Sequence, residues 1–182
     1  MNIKNHKLFY KYFFYLISGI IYISCLMKIF DIIEVYYDIA IYLLIFIYLL
    51  FGVNIYLNKK EYFIFLYFSS LCVFLLFRNS EHGYNFDFYL TKWIKNIFNN
   101  KTIFINVFGN IILFIPMGIL FYNKIIYAFL FSLIFESIQF IFKKGIFDIV
   151  DIVLYFIGII IGVLGVITWN QIKSMIVKSK EN

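Results

Sequence analysis

The chain has 182 residues, of which 64% are hydrophobic and 14% are charged, and its mean hydropathy is +0.91. Soluble domains average about half apolar and about a quarter charged residues, so this composition excludes a water-soluble globular domain and indicates an integral membrane protein. The net charge of +6 comes from basic residues scattered over short polar segments, so we predict no nucleic-acid partner.

Six apolar segments approach or reach the length of about 20 residues that a helix needs to cross the hydrocarbon core of a membrane. They are Leu8–Met27, Val35–Leu57, Tyr62–Phe77, Ile103–Tyr122, Ile125–Phe142 and Ile149–Thr168. Between the third and fourth segments, residues 88–98 place apolar and basic side chains at helical spacing, which is typical of an interfacial helix. We therefore predict an all-α integral membrane protein, a bundle of about six transmembrane helices with an interfacial helix between the third and fourth.

The predicted organisation has three parts: three N-terminal transmembrane helices in residues 1–77, three more in residues 78–170, and a short basic tail in residues 171–182. An even number of spans places both termini on one side, which would then hold nine basic residues against seven on the other. The positive-inside rule favours cytoplasmic termini, so we expect a multi-pass protein of the cell membrane.

Cys25 and Cys72 lie within apolar runs and indicate neither a disulfide nor a metal site.

Polar side chains within the predicted spans are candidate functional residues, because burying them in lipid is costly. The candidate catalytic residues are Glu136, Asp148 and Asp151, and the candidate binding residues are Arg78, Asn106, Asn110 and Gln139. The spacing puts Asn106 with Asn110, Glu136 with Gln139, and Asp148 with Asp151 on shared helix faces. In the six-span topology these six residues all fall in the outer half of the membrane.

Packing is the alternative explanation for several of these residues. Amides in spans often join helices, and an aspartate in the first turn of a helix caps its N-terminus. For Asn106, Asn110 and Gln139, packing and binding are equally favoured. Glu136 is different, because a carboxyl group at that depth must be protonated or find a partner, for which Arg78 or a lysine is the candidate.

Four further positions are predicted to shape the packing of the second half of the chain. These structural positions are Pro116, Gly118, Gly158 and Gly162. Proline removes a backbone hydrogen bond within a helix, and glycines spaced four apart let two helices approach closely. We expect a kink or close helix contact at the proline and a packing seam along the glycines. No metal and no cofactor are predicted.

The order of these residues over four separate blocks resembles the signature of the VanZ-like family, across about residues 78 to 166. The positions that carry the resemblance are Asn110, Phe114, Pro116, Gly118, Glu136, Gln139, Asp148, Asp151, Gly158 and Gly162, with Arg78 and Asn85 at its start. The chain departs from the family's pattern at Tyr155, where an asparagine is frequent, at Phe88, near a frequent proline, and at Gly145, where an arginine is common. An activity that depends on those side chains would be affected.

The resemblance implies a bacterial cell-envelope protein, in a family named for a member that lowers susceptibility to the glycopeptide antibiotic teicoplanin. The leading functional hypothesis is that an outer-leaflet polar site binds or modifies an envelope lipid or cell-wall precursor. The alternatives are an intramembrane carboxylate or metal-dependent enzyme acting on a lipid headgroup, and a small proton-coupled transporter acting as a dimer. The expected partners are a membrane lipid or cell-wall precursor, with a homo-oligomer as a further possibility.

Overall fold

The computed structural model describes residues 3–32, 38–57, 59–77, 83–85, 97–144 and 146–181. In these ranges the helices are α1 (Ile3–Ile32), α2 (Asp38–Leu57), α3 (Lys60–Leu76), α4 (Lys101–Leu120), α5 (Ile125–Ile141) and α6 (Ile149–Glu181). Two short strands, β1 (Gly83–Asn85) and β2 (Ile146–Asp148), pair with each other. The chain divides into two compact units, Met1–Glu81 and His82–Asn182.

Four of the described helices are long and apolar enough to cross a membrane, over Phe9–Ile32, Asp38–Ile55, Lys101–Leu120 and Ile149–Ser179. Helices α3 and α5 have 17 residues each, which is shorter than the typical span of about 20 residues. The prediction of a helical membrane protein is therefore confirmed. Whether α3 and α5 also cross, as the six-span topology requires, stays a prediction.

The structure adds strands and a longer last helix to the sequence-based fold, and leaves the interfacial helix a prediction. The protein is not entirely helical, because β1 and β2 form a parallel pair in which Asn85 lies opposite Asp148. Helix α6 continues to Glu181, through most of the segment predicted as a tail. Of the predicted interfacial helix, residues 88–96 lie outside the described part of the chain, and residues 97–99 form a turn.

In the first unit, a cluster of tyrosines joins α1 to α2. The Tyr15 hydroxyl donates to the Tyr48 carbonyl at 2.7 Å, and the Tyr48 hydroxyl donates to the Tyr15 carbonyl at 2.7 Å. The two rings stack at 4.8 Å, and Tyr48 also stacks on Tyr22 at 4.8 Å. Gly19 lies against the Tyr48 ring and Gly52 against the Tyr15 ring, so the two helices run antiparallel. Within a membrane, lipid is as apolar as the helix surface, so apolar burial alone does little to hold two helices together. Paired hydroxyl–carbonyl hydrogen bonds of this kind help to join them.

Replacing Tyr48 with phenylalanine is expected to weaken this contact while preserving the ring stacking. The substitution removes the bond to the Tyr15 carbonyl and the 2.7 Å contact with the Ser18 hydroxyl. We expect a loss of about 1 kcal/mol in the free energy of unfolding, measured by thermal unfolding in mild detergent. The matched control is Tyr42→Phe on the same helix, since Tyr42 is 72% exposed. Equal losses of stability in the two variants would contradict the role of the Tyr48 hydroxyl in joining α1 to α2.

In the second unit, α4 and α6 pack with their backbones in contact. A Cβ atom added at Gly158 would collide with the Ile111 carbonyl oxygen, and one added at Gly162 would collide with the Ile115 carbonyl oxygen. A Cβ atom at Gly118 of α4 would likewise meet the backbone of α6. The contacts advance in the same direction along both helices, so α4 and α6 run parallel. Small residues spaced four apart permit this approach.

Helix α4 continues through Pro116 to Leu120 as one helix. Its buried residues include Val107, Phe114 and Gly118, at separations of seven and four positions that place them on one helical face. The proline lies between the last two and is itself only partly buried. The helix thus passes its only internal proline without a break and presents one continuous face.

Candidate functional site

Helix α5 carries a stripe of buried side chains that ends in two polar residues. The buried positions are Ala128, Ser132, Phe135, Glu136 and Gln139. Their spacing of three or four positions defines one helical face, and that face includes the fully buried Glu136, which is 0% exposed. A buried carboxyl group requires hydrogen-bond donors around it.

Among the described residues, donors reach both carboxyl oxygens of Glu136. The Tyr155 hydroxyl donates to Oε2 at 3.0 Å, and the Asp148 backbone N–H donates to Oε1 at 3.0 Å. Both come from the segment that starts α6, so this carboxyl group holds the beginning of α6 against the last turns of α5. Arg78, the partner proposed from the sequence, lies outside the described residues.

The turn between α5 and β2 explains why these groups meet. After the C-cap residue Phe142, Lys143 adopts a left-handed conformation with φ 55. The Lys144 N–H donates to the Gln139 carbonyl at 2.8 Å, and the Lys143 N–H donates to the Phe140 carbonyl at 3.1 Å. This is the hydrogen-bond pattern of a Schellman motif, which ends the helix and reverses the chain. The reversal brings β2 back beside α5.

Asp148 caps the N-terminus of α6. Its Oδ1 accepts the backbone N–H of Val150 at 2.8 Å, the second residue of the helix. The capping role that the sequence left as an alternative is therefore present in the structure. Asp151 follows in the first turn, where the helix dipole favours negative charge. Both aspartates are partly exposed, in contrast to Glu136.

A bond between α4 and α6 fixes Asp151. The Asn110 amide nitrogen donates to its Oδ1 at 2.7 Å. Asn106, one turn earlier on α4, is partly buried, and its side chain makes no hydrogen bond to any described residue. The structure thus brings Asn110 to the carboxyl groups and leaves Asn106 outside their direct contacts.

Tyr155 is the member of the site that the sequence analysis did not select. Its ring stacks on Phe114 at a centroid distance of 4.1 Å, and both side chains are buried. It lies four positions after Asp151 and seven after Asp148, so it shares their helical face. That spacing is the signal that would have identified it. We call Glu136, Asp148 and Asp151 the carboxyl cluster, with Asn110 and Tyr155 as its supporting donors.

The carboxyl cluster offers hydrogen-bond acceptors at one end of the second unit. Ionised carboxyl groups accept hydrogen bonds and attract cations, so the groups they recognise are hydroxyl, amide and ammonium donors. Among the described residues, no group of three or more His, Cys, Asp or Glu side chains is arranged to hold a metal ion.

The chain matches the model of a known protein family. The family model described as VanZ/LLP1 matches residues 13–170, which includes the carboxyl cluster and most of the chain. No curated protein and no solved structure matches the chain. The family match also extends into the first unit, beyond the region that carried the resemblance in the sequence. On this coverage, the chain belongs to the VanZ/LLP1 family.

Proposed function

We propose that this protein is a six-span membrane protein of the bacterial cell envelope that binds an envelope lipid or a lipid-linked cell-wall precursor at the carboxyl cluster. In this proposal both termini are cytoplasmic, the cluster faces the outer leaflet, and binding there contributes to resistance to teicoplanin-type antibiotics. Family membership and the four long apolar helices support the membrane role. The observation that carries the proposal is the fully buried Glu136, which accepts the backbone N–H of Asp148 next to two partly exposed aspartate side chains, Asp148 and Asp151.

The different burial of the three carboxyl groups in the cluster supports a binding role. Glu136 is enclosed and contacts the start of α6, so it acts as a positioning residue. Asp148 and Asp151 are partly exposed at the helix N-terminus, where a ligand can reach them. Each carboxyl group can accept about four hydrogen bonds, so both can serve the helix or Asn110 and also meet a ligand. A headgroup bearing hydroxyl, amide or ammonium donors fits these acceptors.

Asp148→Asn and Asp151→Asn test the proposal with little risk to the fold. Asparagine caps helices as well as aspartate does, and its carbonyl oxygen can still accept from Asn110 at position 151. Each substitution removes a charge-assisted hydrogen bond to the ligand, so we expect about a tenfold loss of ligand affinity. The readout is the teicoplanin concentration that inhibits growth of a susceptible host, with the amount of protein in the membrane measured in parallel.

The matched control is Asp38→Asn, which makes the same change in the first turn of α2 in the other unit. It should leave both resistance and protein amount unchanged. Full resistance in the Asp148 and Asp151 variants would overturn the proposal. So would a loss of resistance that merely follows a loss of protein.

A further inference from the structure

The first unit contains a cavity that the carboxyl cluster does not use. It has a volume of about 530 Å³ and lies within residues 10–63. The residues that matter for its chemistry are Tyr10, Lys11, Phe14, Phe51, Asn54 and Phe63. Ligand cavities in proteins commonly measure about 300–1,000 Å³, so this volume suffices for a small molecule or part of a lipid.

The lining combines one cation and one amide with aromatic walls. Lys11 is exposed, and none of the described residues that line the cavity is acidic. The Asn54 carbonyl oxygen accepts the backbone N–H of Lys59 at 3.3 Å, which orients the amide and leaves its NH₂ group as a donor. Phe14, which is 68% exposed, and Phe63, which is 42% exposed, present apolar surface beside these groups.

The cavity lies at one end of the unit's helices. Because α1 and α2 are antiparallel, the early turns of α1 meet the late turns of α2, next to the start of α3. Lys59 and Lys60 are exposed at this same end, where one carboxyl group, Glu61, partly offsets them. Excess positive charge at the end of membrane helices attracts anionic headgroups at the interface, and basic pockets between such helices bind them.

We propose that this cavity binds an anionic phospholipid. The headgroup phosphate contacts the Lys11 ammonium and accepts from the Asn54 amide, and an acyl chain follows the surface of Phe14, Phe51 and Phe63. Charge complementarity and the apolar wall beside the cation favour a phospholipid, because free phosphate would not require that wall. This site is separate from the carboxyl cluster. The cluster is proposed to accept hydrogen bonds from a headgroup with hydroxyl, amide or ammonium donors, whereas this cavity is proposed to donate to a phosphate.

The test uses purified full-length protein in mild detergent, titrated with phosphatidylglycerol or phosphatidylcholine, with retained lipid measured by native mass spectrometry. Phosphatidylglycerol should be retained preferentially. Since a lysine near anionic lipid contributes about 1 kcal/mol, Lys11→Gln should lower the apparent affinity about fivefold. Phe14→Ala, at a largely exposed position, should weaken retention without unfolding the protein.

The matched control is Lys28→Gln, because Lys28 is also exposed on α1 but lies near its other end. It should retain phosphatidylglycerol as the wild type does. Equal losses in the Lys11 and Lys28 variants would indicate nonspecific attraction and overturn the proposal. Equal retention of the two lipids, or displacement of phosphatidylglycerol by inorganic phosphate alone at the same concentration, would also overturn it.

Discussion

Replacing Gly162 with alanine is expected to destabilise the second unit by about 3 kcal/mol or more. The added Cβ atom would collide with the Ile115 carbonyl oxygen and would also approach the Gly118 Cα and the Ile119 nitrogen at 3.0 Å. These are backbone atoms, which cannot move aside as a flexible side chain can, so α4 and α6 must separate. The measurement is the thermal unfolding midpoint in mild detergent.

Helix α6 provides its own control for this prediction. Gly165 lies one turn further along, and a Cβ atom added there meets no atom of the described residues within 4 Å. Since alanine favours a helix over glycine by about 1 kcal/mol, Gly165→Ala should leave stability unchanged or raise it. If Gly162→Ala were as stable as Gly165→Ala, that result would contradict the backbone contact between α4 and α6 at Gly162.

Substitutions of Glu136 should separate its effect on folding from its effect on function. Alanine leaves the Tyr155 hydroxyl and the Asp148 N–H without their buried acceptor, at a cost of about 1–3 kcal/mol for each donor. Glutamine keeps one acceptor oxygen for the Asp148 N–H, and the Tyr155 hydroxyl can rotate to accept from the amide. We therefore expect Glu136→Ala to lower the unfolding midpoint strongly and Glu136→Gln to remain close to the wild type.

Glu136→Gln is then the informative variant for function. Because Glu136 is enclosed and glutamine can still hold the start of α6, this variant should keep resistance near that of the wild type, at an unchanged amount of protein. Glu61→Gln, in the first turn of α3, is the control and should have no effect. A tenfold loss of resistance in Glu136→Gln at an unchanged amount of protein would contradict a purely positioning role for this residue.

Hydropathy and helical spacing predicted much of the fold. The two units contain long apolar helices where the apolar runs are, because membrane-spanning helices satisfy their own backbone hydrogen bonds and need only length and apolar composition. Helix ends were less predictable. Helix α6 extends past Thr168 to Glu181 through residues that are polar enough to resemble a tail yet favour helix.

The site was predictable only in part. Glu136, Asp148 and Asp151 were selected because carboxyl groups at membrane depth are rare. The Tyr155 contact was not, since a tyrosine in a span is usually interfacial. In the sequence, Tyr155 stands out only as a departure from the asparagine that is frequent in the family. The structure shows that this position still supplies a hydrogen-bond donor, now to Glu136.

The three-residue strands could not be predicted, because segments this short show no alternation of polar and apolar residues. Their pairing also depends on a long-range contact. The left-handed conformation of Lys143 could not be predicted either, since glycine rather than lysine is the usual residue just after the end of a helix. Backbone geometry at the site therefore came from the structure alone.

The parallel pairing of β1 with β2 has a consequence for the order of folding. The strands are separated in the chain by the whole of α4 and α5, so their ladder can close only after both helices have been synthesised and have docked. Contacts between distant parts of a chain form late, because closing the intervening loop costs entropy before the contact repays it. Asp148 belongs to that ladder, and so the carboxyl cluster is expected to be completed at the last stage of membrane insertion.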